Sequence, residues 1–287
     1  MSKPRILVQL DPDPHASVFD AVVAIDSDVD HLLQYRGVEP QQVRDLVFGT
    51  MFTRSPDDLK STAIFIGGSN VAAGENLLRE VKACFFGPMR VSVLLDANGA
   101  NTTAAAAVLS AKKHVPLAGA TAVVLAGTGP VGQRAARLLA REGAIVRLAS
   151  RNLDRAEAAA QAVCAAVSQS SVTGHAAATP DQLPALLEGA SIVIAAGAPG
   201  IELLPAKVRA ASKSLRVAID LNAVPPLGIE GVQQNEKGAE REGIFCYGAL
   251  GVGGKKMKIH KAAIRQLFAR NDQVLDAEEV YALGADA

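Results

Sequence analysis

The chain has 287 residues, of which 49% are hydrophobic, 20% charged and 4% aromatic, and its 29 Lys and Arg balance 29 Asp and Glu. That length exceeds the usual single core, so two domains are expected, and a net charge of zero argues against nucleic acid or an anionic membrane as a partner. Cys84, Cys164 and Cys246 lie far apart among apolar residues without metal-ligand spacing; they are read as reduced core thiols, and no metal site is expected. The apolar stretch 6–10 is too short for a signal-peptide core or a membrane span, so a cytoplasmic location is expected.

RILVQL (5–10) predicts a first strand, and DPDPHAS then leads into a helix starting near Ser17, with apolar residues at helical spacing through SVFDAVVAIDSDVDHLL. STAIFIGG (61–68) reads as a second strand ending in a glycine pair, NVAAGENLLREVKACF (70–85) as an amphipathic helix and RVSVLLD (90–96) as a third strand. This alternation implies a small parallel α/β unit. ANGANTT (97–103) leads into an Ala-rich helix capped by Asn101, Thr102 or Thr103, and VPLAG (115–119) marks a junction.

From Ala120 the pattern becomes strand TAVVLAG, turn TGPVG, helix QRAARLLAREG, strand AIVRLAS and a helix from Asn152 to about Ser168. A Ser/Thr/Ala segment (168–179), a short helix near DQLPALLEG and strands SIVIAAG (191–197) and LRVAIDLNA (215–223) complete a dinucleotide-binding layout. The tail reads as a Gly-rich turn, GALGVGG, opening a basic amphipathic helix, then a last helix in DAEEVYALGA. The expected fold is α/β: a Rossmann-type domain over 104–253, and a smaller α/β substrate domain built from 1–103 and the C-terminal tail 254–287.

Gly127, Gly129 and Gly132 form G-x-G-x-x-G between a strand and a helix, the context that gives this motif meaning. Gly127 permits the tight turn, Gly129 the approach of backbone to a pyrophosphate, and Gly132 close packing of helix on strand. Thr128, Pro130 and Val131 complete the turn, whose helix N-terminus favours phosphate oxygens. The second strand ends in Ser150, Arg151 and Asn152 where an NAD enzyme places a carboxylate for the ribose hydroxyl, so a 2′-phosphate and hence NADP is favoured, with NAD a weaker substitute. Arg155 follows one helical turn on, and Ala196, Gly197 and Asn222 lie at later strand ends on the cofactor side.

Beyond the cofactor motif, the chain resembles the NADP-dependent methylene-tetrahydromethanopterin dehydrogenases of bacterial one-carbon metabolism. The likeness runs nearly end to end, through SVFD (17–20), STAIFIGG, FFGP (85–88), LDANGANTTAAA (95–106), VVLAGTGPVG (123–132), NAVPPLGIEG (222–231), GALGVGG (248–254) and DAEEVY (276–281), and is weakest over 165–190. The resemblance implies oxidation of 5,10-methylene-tetrahydromethanopterin, or its tetrahydrofolate counterpart, to the methenyl form with hydride passing to NADP, in a homo-oligomer. It points to Lys256 as the main site lysine and to Asp20, Asp96, Asn98, Asn101, Lys258 and His260 around the pterin. Helix capping is the competing role for Asp96 and Asn98, and a solvated face for Asp20, Lys258 and His260. Another two-domain dehydrogenase, of methylene-tetrahydrofolate or shikimate type, and a non-catalytic NADP(H) sensor are the alternatives.

Overall fold

The computed structural model describes residues 3–285. The chain opens with β1 (Ile6–Leu10), α1 (Val18–Ile25), β2 (His31–Tyr35) and α2 (Val43–Met51). It continues through β3 (Thr62–Ile66), α3 (Val71–Ala83), β4 (Ser92–Leu95) and α4 (Ala100–Lys112). Next come β5 (Thr121–Leu125), α5 (Pro130–Arg141), β6 (Ile145–Ser150), α6 (Leu153–Ala166), β7 (Ser171–Ala176) and α7 (Leu183–Leu187). β8 (Ile192–Ala195), α8 (Ala206–Ala211), β9 (Val217–Asp220), β10 (Lys237–Arg241) and β11 (Ile244–Tyr247) follow, then α9 (Ala249–Gln266), β12 (Val274–Leu275) and α10 (Ala277–Ala285).

Two compact units result: one ends at Thr102 and resumes at Met257, and the other runs from Thr103 to Lys256. In the first, five parallel strands lie in the order β12-β4-β3-β1-β2. β3 is buried at every position, as a Val/Ile-type run in a sheet covered on both faces should be, and its Phe65 fills the core with Leu7, Leu10 and Leu94 of the neighbouring strands. The order reverses between β1 and β3, and in open parallel sheets ligands settle outside the carboxyl ends of strands at such a reversal.

The second unit holds seven strands in the order β10-β11-β9-β8-β5-β6-β7, parallel except for the β10–β11 hairpin. Six of them reproduce the dinucleotide-binding order, with the reversal between β5 and β8. Val123, Leu125, Val193, Ala218 and Cys246 lie in one buried cluster under this sheet.

Several local expectations need correction. The helix from Ser17 stops at Ile25: Asp28 takes a φ of 64°, the chain turns, and residues 31–35 form the exposed edge strand β2. The polar segment 168–179 contains a second missed edge strand, β7, and the edge strands β10 and β12 lie outside the expected elements as well. The start of α4 is held by an aspartate as well as by the helix's own Thr102, whose hydroxyl reaches the Gly99 carbonyl. Asp96, four residues before the helix starts, accepts the Thr102 N–H at 3.0 Å and its hydroxyl at 2.6 Å.

GALGVGG is not a turn after Gly248 but the first turns of α9. The carbonyl of Gln234 accepts the N–H groups of Leu250 and Gly251, supplying partners that a helix start otherwise lacks. Gly248 and Gly251 allow that approach: a Cβ at Gly251 would lie 1.7 Å from the Glu236 carbonyl oxygen. Cys84 and Cys164 are half-buried, and Cys246 alone of the three is fully buried. Among the described residues no helix is long and apolar enough to cross a membrane, and no group of three or more His, Cys, Asp or Glu is placed to hold a metal.

Candidate functional site

In the second unit the glycine motif joins β5 to α5. A Cβ at Gly132 would stand 2.6 Å from the Gly127 Cα, and one at Gly127 would stand 2.8 Å from Leu148 Cγ, so α5 reaches the strand only because both lack side chains. Gly129 is open, with nothing nearer its Cβ position than the Ala126 oxygen at 4.0 Å, and Pro130 starts the helix where its missing N–H is harmless. The Gln133 side-chain amide donates to the Thr128 carbonyl at 2.7 Å and holds the turn, and the Ala196 N–H ties the loop after β8 to Leu125. Val131 is half-buried in the first turn of α5.

Thr128, Ser150, Arg151, Asn152, Arg155 and Gly197 line one cavity of about 630 Å³ above this turn. Asn152 caps α6, its side-chain oxygen accepting the Arg155 N–H at 2.9 Å, so the cavity faces a second helix N-terminus. Arg151 and Arg155 form no ion pair with a carboxylate among the described residues, and no acidic residue lines the cavity.

Asn222 is placed differently. Its side-chain oxygen accepts the Val224 N–H, its amide donates to the Pro226 carbonyl, and its own N–H bonds Asp220, so it shapes the 220–229 loop and does not line the cavity. Asp220, which sequence reasoning passed over, is the buried anchor of that loop, accepting the N–H groups of Asn222 and Ile229. Burial raises its carboxyl above the usual carboxylate range, and those N–H groups oppose the rise.

In the first unit a polar cluster forms at the reversal between β1 and β3. Buried Asp11 accepts the N–H groups of Asp13 and Ser17, and the Ser17 hydroxyl caps α1 by accepting the Asp20 N–H at 3.2 Å. This sets half-buried Asp20 over the end of β3. A Cβ at Gly67 would meet Phe65 Cε1 at 3.0 Å and Asp20 Oδ2 at 3.1 Å, so the first residue of the glycine pair makes room for the carboxylate.

His260, 1% exposed, lies on α9 with its Nδ1 4.0 Å from Asp96 Oδ2, and its ring centroid stands 5.6 Å from that of Phe65 and 6.4 Å from that of Phe19. The solvated-face alternative for His260 is therefore set aside, and Asp96 does cap a helix. Lys256 is half-buried four residues earlier on α9, the spacing that puts two residues on one helix face. Lys258 is exposed, two residues from each and so turned away.

Asn98 is exposed at a φ of 54°, its N–H bonded to the Gly68 carbonyl. Asn101 is buried, its amide donating to the Leu95 carbonyl and to Asp276, so it ties the tail to the sheet. The structure thus gathers Asp20, Asp96 and His260, engages Asn101 with internal partners and leaves Asn98 and Lys258 exposed. Phe65, Gly67 and Thr102, none of which the sequence marked as a site residue, belong to the gathered cluster.

Residues 18–98 match the family model described as methylene-tetrahydromethanopterin dehydrogenase, N-terminal. The chain is 47% identical over 288 residues to the bifunctional protein MdtA of Methylorubrum extorquens, covering 100% of this chain and 99% of that one. It is 31% identical over 296 residues to the NAD(P)-dependent methylenetetrahydromethanopterin dehydrogenase of the same organism, covering 98% of each. Among solved structures, the 5-ketofructose reductase of Gluconobacter sp. strain CHM43 shares the fold, with a TM-score of 0.54 at 16% identity over 99% of both chains. With a full-length relative at 47% identity and a second at 31%, the chain belongs to the methylene-tetrahydromethanopterin dehydrogenase family.

Proposed function

We propose that the protein oxidises 5,10-methylene-tetrahydromethanopterin to its methenyl form with NADP as hydride acceptor, the tetrahydrofolate counterpart being the competing substrate. The observation that carries this reading is the pair Arg151 and Arg155 beside the glycine turn, in a cavity whose lining has no carboxylate to hold an NAD ribose. The residues present fit the cofactor. Gly127 and Gly132 let α5 close on the strand, Gly129 leaves the turn open to a pyrophosphate, and the two guanidinium groups suit a phosphate dianion. NADP, when bound, supplies the hydride acceptor.

Hydride loss leaves a cation shared between the two nitrogens that flank the reacting carbon, so no general base is required and orientation carries the rate. In this reading Lys256 donates to the pterin carbonyl, away from the reacting carbon, because an ammonium beside the cationic product would be repelled. Asp20 accepts from the pterin amino and ring N–H groups, and Asp96 acts as a positioning residue through Thr102 and His260. A homo-oligomer is supported by the apolar stripe Val18, Val22 and Ile25 on α1, 76%, 56% and 57% exposed. A cytoplasmic location is part of the same reading.

The test is NADPH formation by the purified protein with each methylene-pterin, repeated with NAD. Turnover with NADP well above that with NAD is expected; no turnover with either pterin, in a protein that still binds NADPH, overturns the dehydrogenase reading. Lys256→Ala should lower kcat/KM for the pterin by roughly tenfold or more with the Kd for NADPH unchanged. A weakened NADPH Kd would move Lys256 to the cofactor site.

A further inference from the structure

Ala126 stands between β5 and the first glycine of the turn, and its φ is 51°. In this left-handed region the Cβ of an L-residue crowds its own backbone, whereas glycine adopts it freely. An alanine held there, in a turn that otherwise uses glycine, is a local outlier that packing has to sustain. Its position supplies a reason. Ala126 is half-buried and lines the cavity of about 630 Å³, and a Cβ placed on Gly197 would meet Leu203 Cδ1 at 2.7 Å and the Ala126 methyl at 3.4 Å. The turn after β5 and the loop after β8, which flank the reversal in strand order, therefore approach each other at the Ala126 methyl, with Leu203 closing the other side of Gly197.

We propose that Ala126 is a positioning residue for the dinucleotide: its methyl confines the turn to one backbone basin and sets the gap to Gly197, so the N–H groups at the start of α5 are aimed before the ligand arrives. This rests on the reading of the cavity as the NADP site. Glycine at this position relieves the crowding but lets the empty turn sample further basins, and that freedom must then be lost on binding. The folded chain and the bound complex thus prefer different residues at position 126.

Ala126→Gly, Gly197→Ala and the double variant are compared with the unaltered protein by NADPH titration, steady-state kinetics and thermal unfolding. For Ala126→Gly the Tm should stay within about 3 °C, because strain relief and added unfolded-state entropy oppose each other. The Kd for NADPH should rise about five- to tenfold while kcat at saturating NADP stays within about twofold. Gly197→Ala should weaken NADPH binding by displacing Leu203 and crowding Ala126, and the double variant should recover only the share of that loss due to the Ala126 methyl.

Unchanged NADPH affinity in Ala126→Gly, losses that simply add in the double variant, or a Tm lowered by about 10 °C or more in Ala126→Gly would each overturn the inference. Should the unaltered protein itself fail to bind NADPH, the cofactor reading falls and this inference with it. The first titration separates that case from the others.

Discussion

Arg151→Ala is expected to raise the KM for NADP by roughly 10- to 100-fold and to leave that for NAD within about twofold. The two cofactors differ by one phosphate dianion, so a residue whose only ligand contact is that phosphate changes one constant and not the other. A charge-assisted hydrogen bond from a guanidinium contributes about 1.5–3 kcal/mol, which sets the fold-range. Asn152 and Ser150 do not replace it readily: the Asn152 oxygen is engaged in capping α6, and the Ser150 hydroxyl lies 3.4 Å from the Asn152 N–H. Arg155 remains as a second cation, so partial NADP preference should persist in Arg151→Ala and vanish in the double alanine variant. Equal losses for both cofactors, measured by initial rates, would remove Arg151 from the phosphate.

The largest effect on stability is expected at Gly251. Its added Cβ would collide with the main-chain oxygen of Glu236, which cannot rotate away as a side chain could, and the same segment supplies the carbonyl that caps α9. Gly251→Ala should destabilise the fold by about 3 kcal/mol or more, lowering the Tm by roughly 10 °C. Gly253, on the same helix, has nothing within 4 Å of its Cβ position, so Gly253→Ala should stabilise by about 0.5–1 kcal/mol through helix propensity. Thermal unfolding of the two variants side by side checks the opposite signs; a similar Tm for both would contradict the packing described at the start of α9.

How far the sequence could be read depends on where each residue's signal lies. β1, β3, β4, β5, β8 and β9 are largely apolar runs buried on most or all positions, and β6 is buried on half of its six, so all are visible as strands. β2 and β7 are edge strands with little buried surface, so β2 merges with the helical spacing of 17–33 and β7 with a polar segment. β7 also carries Gly174, which resembles a strand breaker but is what lets α6 lie against it: a Cβ there would stand 2.4 Å from the Glu157 nitrogen. In GALGVGG the glycines look like a turn because the partner that makes them helical, residues 233–236, is a carbonyl-rich loop with no motif of its own.

The same division holds for the candidate site. The glycine turn and Arg151 are contiguous with a strand end, so spacing alone locates them. The neighbourhood of Asp96, Phe65 and His260 comes from the sheet order, and no local pattern announces it. Asn101 and Asn222 look like ligand-binding amides by type, yet both have internal partners, which only coordinates reveal.

The discontinuity of the first unit bears on how the chain is made. Its sheet lacks β12 until residue 274 has been synthesised, and the bonds of Asn101 to Asp276 and of Arg265 to Asp28 link residues 175 and 237 apart. The unit running from Thr103 to Lys256 closes every strand pair from its own contiguous stretch, so on the ribosome it is complete first, although its neighbour begins earlier. Until then β4 is an open edge, able to pair with another nascent chain. Bridging so long an insertion adds little equilibrium penalty, because closure entropy grows only with the logarithm of length. The exposure is one of time during synthesis, and it falls on the strand that ends in Leu95, beside Asp96.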